Sequence, residues 1–325
     1  MQSYWMQAGP AGGTLEKRDV PVPQPGPGQL LVRLHAASLN RGEFLAAREA
    51  GTTPAAWKPA GGEGAGEIAQ LGAGVAGWRT GERVMGRCAG AFAEYALMEA
   101  DEAMALPPNL SWEEGASIPL TFLVAFDMLV LQGRLKTGEW LLVNGVSSGV
   151  GVACLQLGRA LGAKVIGTSG SADKLEALKP LGLDLAIPTR GPGFADAVLA
   201  ATGQRGVDLV VNAVGGTVFA EDVRVLAFEG RLALVGNVDG APQAEIDLEA
   251  LHRKRLVLFG VSNKLRSKAQ RAAAVPRFVA EVLPHFASER IRPRIDQVVA
   301  FDELSQAKQR MEAGGHVGKI VLRMP

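Results

Sequence analysis

The stretch from Trp140 to Gly170 limits most strongly what this chain can fold into. It reads WLLVNGVSSGVGVACLQLGRALGAKVIGTSG, which is an apolar strand pattern, a turn of small residues, an apolar helix pattern and a second strand. Small residues let the backbone of such a turn approach a pyrophosphate, and the N-terminus of the following helix offers unpaired N–H groups and the positive end of its dipole. The stretch therefore predicts a βαβ unit that binds a dinucleotide.

The glycine pattern of this turn matches the dinucleotide fingerprint G-x-G-x-x-G only in part. With Gly151 as the third glycine, Val146 takes the first position and Ser148 the second. A glycine turn between a strand and a helix is often no more than a turn, so the surrounding βαβ order carries the prediction. We expect the cofactor to contact Ser148, Gly149, Val150 and Gly151.

The rest of the chain shows two kinds of pattern. The first hundred or so residues contain short strand patterns between glycine turns, which predict a small β barrel or sandwich. From residue 111, SWEEGASIPLTFLVAFDMLVLQG predicts a helix that opens with a capping box of Ser111 and Glu114. Apolar strands then alternate with helices to about residue 262, which predicts an α/β fold with a doubly wound parallel sheet covered on both faces.

The end of the second strand indicates which dinucleotide is bound. It reads GTSGSADK, so Ser169, Gly170 and Ser171 stand where an NAD site places a carboxylate for the ribose 2′-hydroxyl. Lys174, and Arg190 after the third strand, are cations that could pair with a 2′-phosphate. The alternative is that Lys174 is an ordinary exposed helix lysine. We expect NADPH, contacted by Ser169, Gly170, Lys174 and Arg190.

Composition excludes several other functions. The net charge of +1 offers no electrostatic reason for a nucleic-acid partner. Cys88 and Cys154 lie far apart and outside any CxxC motif, so neither a disulfide framework nor a structural zinc lobe is expected, and Cys154 is predicted to be a small core residue. No segment resembles a signal peptide or an apolar run that spans a bilayer, which predicts a cytoplasmic protein without a membrane partner.

These motifs together resemble the medium-chain dehydrogenase/reductase superfamily, and within it the zinc-free quinone oxidoreductase branch that includes ζ-crystallin. The similarity runs through PVPQPGPGQLLVRLHAASLN, GGEGAGEIAQLGAGV, GERVMG, AFAEYALM, SIPLTFLVAFDML, NGVSSGVG, LGAKVIGTSGSADK and the closing GKIVL. It implies a GroES-like catalytic domain of residues 1–115 and 262–325, a Rossmann-like NADPH-binding domain of residues 116–261, and a cleft at their junction. It also implies a homodimer formed through the edge of the Rossmann sheet.

The resemblance implies as well that this chain has lost the catalytic zinc of its zinc-dependent relatives. Those relatives carry a histidine before the glutamate in GHEGAG, where this chain has Gly62 before Glu63. The two other ligand positions fall in SLNRGE and SIPLTF, which contain no cysteine. Glu63 alone cannot hold zinc in a tetrahedral site, so we expect no metal.

Chemistry without a Lewis acid favours an electron-poor acceptor. Deprotonating an alcohol becomes difficult, whereas a quinone or the β-carbon of an enone or enal accepts hydride directly and needs only hydrogen-bond donors at its oxygen. The resemblance implies that Asn40 and Thr121 lie beside the nicotinamide and the acceptor. From local sequence alone, Asn40 is equally well explained as a cap of the turn LNRGE.

Further residues follow from the resemblance and from their positions. We place the substrate pocket at Phe44, Trp57, Glu63 and Phe122, although aromatic residues of this kind are more often core. In the second half of the chain, Asn212 and Gly236 at the ends of strands are expected to contact the cofactor. Phe259, Val261 and Ser262 are expected near the nicotinamide. Lys319 aligns with a basic residue that reaches the phosphates in relatives.

The proton donor of such a reduction is not evident from the sequence. Some quinone reductases and the enoyl-thioester reductases carry a tyrosine soon after the asparagine, but here that stretch reads RGEFLAARE. Solvent or the cofactor ribose hydroxyl is therefore expected to supply the proton, which weakens an enoyl-thioester assignment. The leading prediction is an NADPH-dependent reductase of quinones or α,β-unsaturated carbonyls. The alternatives are an NADPH-binding protein of low turnover, as among crystallins, an enoyl-thioester reductase and a zinc alcohol dehydrogenase.

Overall fold

The computed structural model describes residues 1–9, 13–46 and 55–325 and divides the chain into two compact units. One unit consists of Met1–Leu123 with Lys268–Pro325 and is called the catalytic unit below. The other consists of Val124–Ser267 and is called the nucleotide unit. Across the described ranges, no helix combines the length and the apolar character that crossing a membrane requires.

The elements follow in chain order. Before residue 127 they are β1 Gln2–Gln7, β2 Thr14–Asp19, β3 Gln29–Ser38, α1 Arg41–Ala46, β4 Lys58–Pro59, β5 Glu63–Leu71, β6 Arg83–Ala89, β7 Tyr95–Glu99, β8 Met104–Ala105, α2 Trp112–Ala116 and α3 Pro119–Phe126. The nucleotide unit continues with β9 Trp140–Asn144, α4 Gly149–Ala160, β10 Lys164–Ser169, α5 Ala172–Glu176, β11 Leu185–Pro188, α6 Ala195–Ala201, β12 Val207–Asn212, α7 Gly216–Val225, β13 Leu226–Leu234, α8 Leu248–Arg253 and β14 Val257–Gly260. The chain ends with α9 Lys268–Ala272, α10 Val275–Glu281, α11 Leu283–Ala287, β15 Ile295–Ala300, α12 Leu304–Glu312 and β16 Lys319–Arg323.

The nucleotide unit contains the predicted Rossmann-like parallel sheet. Its six strands have the order β11-β10-β9-β12-β13-β14, and every neighbouring pair is parallel. The register aligns Asn144 with both Thr168 and Asn212, so the carboxyl ends of β9, β10 and β12 meet at one edge of the sheet. Ligands of open α/β sheets bind at this edge.

The apolar strands of this sheet explain its position in the core. Leu142, Ile166, Val210 and Leu232 lie on four neighbouring strands and are all shielded from solvent. Cys154 on α4 is also fully buried, as predicted for a small core residue. The sequence patterns did not single out helices α7 and α8. Charged residues stand between the apolar residues of both helices.

The catalytic unit is β-rich, as predicted. A seven-stranded sheet has the order β15-β16-β3-β5-β6-β7 with β8 beside β6, and a smaller sheet pairs β2, β1 and β4. Strand β16 from the end of the chain pairs with β3, so both ends of the chain build one sheet. Strand β3 lies inside this sheet and is buried along most of its length, with Arg33 the one exposed position among its ten residues.

The helix predicted from residue 111 is shorter than expected. The capping box of Ser111 and Glu114 is present, with both reciprocal hydrogen bonds formed. However, α2 ends at Ala116 and a new helix begins at Pro119. Proline lacks an N–H and disfavours helical geometry in the residue before it, which interrupts the helix there. Beyond α3 the chain continues as a π-helix over Asp127–Gln132.

Candidate cofactor and catalytic sites

The glycine-rich turn leads directly from β9 into the N-terminus of α4. Ser148 is the N-cap of α4, and its Oγ accepts a hydrogen bond from the Gly151 N–H at 3.0 Å. Gly145 adopts a φ of 76°, which favours glycine in the turn. Gly149 and Val150, in the first turn of the helix, are partly exposed. Because the first N–H groups of a helix lack intrahelical acceptors, this turn can bind an anion.

Gly151 is required by the packing of this turn. A Cβ at Gly151 would lie 2.4 Å from the carbonyl oxygen of Gly145 and 2.7 Å from the backbone of Val146. Both obstacles are backbone atoms, so they cannot rotate away. The absence of a side chain therefore lets α4 start close against the turn, which is the close approach that a dinucleotide site needs.

The end of β10 brings together three of the residues predicted at the adenosine ribose. The Thr189 N–H donates to the carbonyl of Ser169 at 2.9 Å, which places the end of β11 beside the end of β10. Arg190 lies over Gly170, since a Cβ there would be 2.5 Å from Arg190 Cγ and 3.0 Å from its Nε and Cζ. Gly170 thus makes the room in which the arginine side chain lies.

Two further residues complete this region. Lys174 belongs to the short helix α5, which Ser171 caps by accepting from the Lys174 N–H. Ser147 was missed by the sequence analysis, although its Oγ lies 3.0 Å from Ser169 Oγ. The signal was present in the double serine of the turn, where Ser148 alone was chosen because it matches the fingerprint.

A buried polar network joins the carboxyl ends of three strands of the nucleotide unit. Asp222 on α7 accepts from Asn144 Nδ2 at 2.5 Å and from Asn212 Nδ2 at 2.8 Å. Thr168 Oγ1 donates to Asn144 Oδ1 at 2.9 Å. Burial raises the pKa of Asp222 well above its usual range, against the lowering effect of the two amides. The network holds the ends of β9, β10 and β12 in register.

The side chain of Asn212 bonds to three residues of the nucleotide unit, and its contact with the cofactor stays a prediction. Its Oδ1 accepts from the N–H groups of Val214 and Gly215, and its Nδ2 donates to Gly215 and Asp222. The side chain is fully buried, so it shapes the loop after β12. The predicted residues Gly236, Phe259, Val261 and Ser262 follow or end β13 and β14 at the same edge of the sheet.

Glu63 is the centre of a second polar cluster, in the catalytic unit. Its side chain is fully buried at the start of β5. Oε1 accepts from Ser38 Oγ at 2.6 Å, Asn40 Nδ2 at 2.8 Å and Lys319 Nζ at 2.8 Å, and Oε2 accepts from the Leu120 N–H at 2.7 Å. Four donors, one of them an ammonium, hold this carboxylate in place.

The ammonium of Lys319 is bonded by three acceptors of the catalytic unit. Its Nζ donates to Leu39 O at 3.1 Å, Asn40 Oδ1 at 2.8 Å and Glu63 Oε1 at 2.8 Å. A lysine ammonium has three donors, and these acceptors use all of them. Only 5% of its side chain is exposed. Lys319 thus ties β16 to the turn after β3, and its contact with the cofactor phosphates stays a prediction.

Glu43 on α1 lies beside this cluster and occupies the space next to Gly62. A Cβ at Gly62 would lie 2.7 Å from Glu43 Oε1 and 3.4 Å from Leu120 Cδ1. Oε1 accepts from Asn40 Nδ2 at 3.2 Å, whereas the buried Oε2 has no hydrogen-bond partner among the residues that the structure describes. Burial raises the pKa of Glu43 to about 7, and the negative charge of Glu63 adds to this effect.

The two residues predicted beside the acceptor are both already hydrogen-bonded. The Asn40 side chain donates to Glu43 and Glu63 and accepts from Lys319. Thr121 Oγ1 donates to the Ser117 carbonyl at 2.9 Å, a bond to the preceding helical turn. Asn40 also accepts from the Glu43 N–H through its carbonyl, so the turn-forming alternative is present in the structure.

Among the described residues, the four that were predicted to line the substrate pocket lie in different surroundings, and a shared pocket stays a prediction. Phe44 is 1% exposed and Phe122 is 3% exposed, the latter packed edge-to-face against Phe286. Trp57 lies under the guanidinium of Arg18, and Glu63 is enclosed by its four donors. The two phenylalanines are core residues, which is the common environment of such side chains.

A cavity of about 820 Å³ opens elsewhere in the catalytic unit. Its wall includes Trp5, Gly61, Gly62, Cys88 and Tyr95, so it reaches the loop that precedes Glu63. Its size is within the range of small-molecule sites. Sequence reasoning missed it because its walls come from strands distant in the chain. Within the described ranges, no three His, Cys, Asp or Glu side chains are grouped to hold a metal ion.

Two family models match the chain. The model described as alcohol dehydrogenase GroES-like domain covers residues 26–108, and the model described as zinc-binding dehydrogenase covers residues 149–278. The first match lies in the catalytic unit and confirms its GroES-like fold. The second covers most of the nucleotide unit.

Individual proteins are similar over almost the whole chain. A phenolphthiocerol/phthiocerol polyketide synthase protein of Mycobacterium tuberculosis is 31% identical over 96% of this chain, but the chain spans only 14% of that protein's length. The native structure of mycobacterial Rv1454c complexed with NADPH has 28% identity and a TM-score of 0.86, with 99% of each chain covered. A mycobacterial quinone oxidoreductase structure has 27% identity and a TM-score of 0.83, again with 99% of each chain covered.

Proposed function

The chain belongs to the medium-chain dehydrogenase/reductase superfamily, and from this premise we propose that it is an oxidoreductase that uses NADPH to reduce a quinone or an α,β-unsaturated carbonyl. The observation that carries the proposal is the pairing of the turn at Ser148–Gly151 with Arg190 over Gly170. The first offers N–H groups for a pyrophosphate, and the second a cation for a 2′-phosphate.

The residues around the turn fit NADPH in chemistry as well as in position. Ser148, Gly149, Val150 and Gly151 form the start of α4, where backbone N–H groups and the helix dipole favour an anion. Ser169, Gly170 and Arg190 present hydroxyl and guanidinium donors at the end of β10, with Lys174 on the next helix. Guanidinium groups pair well with phosphate oxygens. A structure similar in fold over both full chains was determined with NADPH.

Bound NADPH supplies the hydride, so the chain's own task is to orient the acceptor and to stabilise charge on its oxygen. We place the acceptor beside Asn40 and Thr121. Because the donors of both side chains are already used within the catalytic unit, binding an acceptor oxygen requires one of them to exchange its partner. Gly62 stands where zinc-dependent relatives have a histidine ligand, and we propose that the reduction proceeds without a metal.

Two acceptor classes have specific support. The similarity to a mycobacterial quinone oxidoreductase favours a quinone. The similarity to a polyketide synthase favours an enoyl thioester as the second candidate, since its reduction also places hydride on a β-carbon. An enone or enal is reduced by the same hydride transfer to its β-carbon, and its binding does not require a surface that recognises a thioester.

NADPH oxidation by the purified, EDTA-treated protein tests the proposal. The panel is quinones, enones, enals, enoyl thioesters and simple alcohols, each measured with NADPH and with NADH. We expect turnover of a quinone or an unsaturated carbonyl, with NADPH preferred and alcohols inert. Tight NADPH binding with no turnover of any acceptor would contradict the reductase proposal and favour a cofactor-binding protein of low turnover.

We also propose that the protein is a homodimer joined through β14. This strand is an edge of the nucleotide unit's sheet, and Val257 on it is 51% exposed. Phe228 and Leu234 on the adjacent strand β13 are also exposed. An exposed apolar edge strand is prone to pair with another chain. Sedimentation equilibrium would test this, and a monomer at micromolar concentration would contradict it.

A cytoplasmic location stays a prediction.

A further inference from the structure

Two carboxylates and one ammonium share the buried cluster of the catalytic unit. Lys319 Nζ contacts Glu63 at 2.8 Å, while among the described residues the Glu43 carboxyl is bonded by Asn40, whose Nδ2 lies 3.2 Å from Oε1. With both carboxyls ionised, this cluster would hold a net negative charge away from water. A single proton makes it neutral, and buried charges without partners are strongly unfavourable.

The two carboxyls differ in their hydrogen bonds. Glu63 accepts from four donors. Glu43 has one weak donor on Oε1, and its buried Oε2 has no partner among the described residues. A protonated carboxyl is the form that such surroundings favour. Its pKa of about 7, raised first by burial and second by Glu63, agrees with the geometry.

The position of Glu43 points to a use for this proton. Its Oε1 lies 2.7 Å from the point that a Cβ at position 62 would occupy, and Gly62 is part of the wall of the 820 Å³ cavity. Asn40, one of the residues proposed to lie beside the acceptor, bonds the same carboxyl. The groups with charge or a titratable proton that face Glu43 are Glu63 on β5 and Lys319 on β16, and Cys88 on β6 is electrostatically coupled to it.

We propose that Glu43 is the general acid of the reduction, an inference that rests on the proposed function. The hydride brings its electron pair to the acceptor carbon, and the π electrons of the acceptor move onto its oxygen. The O–H bond of Glu43 then breaks, and its proton binds that oxygen. From an enone this gives an enol that tautomerises to the ketone; from a quinone it gives a hydroxydienone that tautomerises to the hydroquinone as its new C–H proton is lost to water and the second oxygen gains one. Solvent returns a proton to the Glu43 carboxylate between turnovers. Asn40 acts as a positioning residue, because it holds the carboxyl through Nδ2.

A carboxylic acid with a pKa of about 7 would work as the catalyst below that pH. Because only the protonated form of Glu43 can donate a proton, kcat should be constant at low pH and fall about tenfold per pH unit well above 7. A general acid typically contributes about 10²–10⁴-fold, so Glu43→Gln should lower kcat by at least about 100-fold at pH 6 and remove the fall with pH. Glu43→Asp keeps the acid and should restore part of kcat.

The experiment compares wild type, Glu43→Gln, Glu43→Asp and a control, Glu281→Gln, over pH 5 to 9 with the best acceptor. Glu281 pairs with Arg277 on the surface of α10, so its neutralisation should leave the profile unchanged. The second readout is independent of turnover: infrared difference spectra of the protein without cofactor should show a protonated carboxyl band that titrates near pH 7 and is missing in Glu43→Gln. NADPH binding should be equal in all four proteins.

Gly62→Ala tests the same inference without removing the acid. Its Cβ should displace the Glu43 carboxyl, lowering kcat and shifting the pH at which activity falls, whereas Gly315→Ala meets no atom within 4 Å and should have no effect. A wild-type kcat that is constant from pH 5 to 9, or a Glu43→Gln variant with wild-type kcat and profile, would overturn the inference. If wild type reduces no acceptor but the infrared band is present, the proposed function fails while the protonated state of Glu43 stands.

Discussion

Lys319 Nζ lies 2.8 Å from Glu63 Oε1, and both side chains are shielded from solvent. The pair joins β16, near the end of the chain, to β5, near its beginning. Its geometry is supported by Ser38, Asn40 and the Leu120 N–H, which complete the hydrogen bonds of the carboxylate. The sheet of the catalytic unit therefore contains a buried ion pair between residues that lie 256 positions apart in the sequence.

Replacing Lys319 with methionine should strongly destabilise the catalytic unit. The substitution keeps most of the side-chain volume but leaves Glu63 charged and buried, which typically costs about 3–5 kcal/mol. Urea unfolding measures the change. The matched control is Lys17→Met, which breaks the exposed pair with Asp302 and should have a much smaller effect on unfolding. Equal effects of the two substitutions would contradict the structural role assigned to Lys319.

Replacing Gly170 with alanine should weaken NADPH binding selectively. The new Cβ would lie 2.5 Å from Arg190 Cγ, so the arginine has to leave its position over residue 170. Losing a charge-assisted hydrogen bond of this kind should raise the Kd for NADPH about tenfold and leave that for NADH nearly unchanged. Fluorescence titration with each cofactor gives both constants. Gly191→Ala, whose Cβ meets no atom within 4 Å, is the control in the same loop.

Two substitutions in the turn before α4 should separate helix capping from close packing. Ser148→Ala removes the bond to the Gly151 N–H and should cost about 1 kcal/mol of stability. Gly151→Ala places a Cβ 2.4 Å from the Gly145 carbonyl oxygen, which forces the helix away from the turn. We expect it to lower the Tm further and to abolish NADPH binding, as calorimetry would show. Retained binding in Gly151→Ala would refute the assignment of this turn.

The titration of Glu43 should appear in the pH dependence of stability. Its pKa is about 7 in the folded protein, and an unfolded glutamate has a pKa of about 4.3. Because the folded pKa is the higher one, the folded state binds the proton more tightly, and the stabilisation is complete below about pH 4. It is lost as the pH rises to about 7, by about 4 kcal/mol in total.

Unfolding free energies of wild type and Glu43→Gln over this pH range measure the effect. The glutamine variant lacks the titrating group, so the difference between the two proteins should change between pH 4 and 8 and be constant outside that interval. Two curves that run parallel throughout would show that Glu43 is already ionised in the folded protein.

The sequence alone was sufficient for the local features of this protein. The apolar strand, small turn and apolar helix of residues 140–160 predict the βαβ unit, because strand and helix periods and glycine positions are properties of neighbouring residues. The capping box of Ser111 and Glu114 is likewise local and is present in the structure. The resemblance of the sequence motifs to a known superfamily then predicted the GroES-like and Rossmann-like folds of the two units.

The tertiary structure decided what lies across long sequence separations. Nothing near Lys319 in the chain indicates that its ammonium faces Glu63, 256 residues away. Similarly, the partly solvated turn LNRGE does not reveal that the carboxyl of Glu43 fills the space beside Gly62. Burial and the number of hydrogen-bond donors determine the charge of a carboxyl, and both depend on elements that only the folded chain brings together. For this reason the sequence predicted the nucleotide turn but not the buried acid.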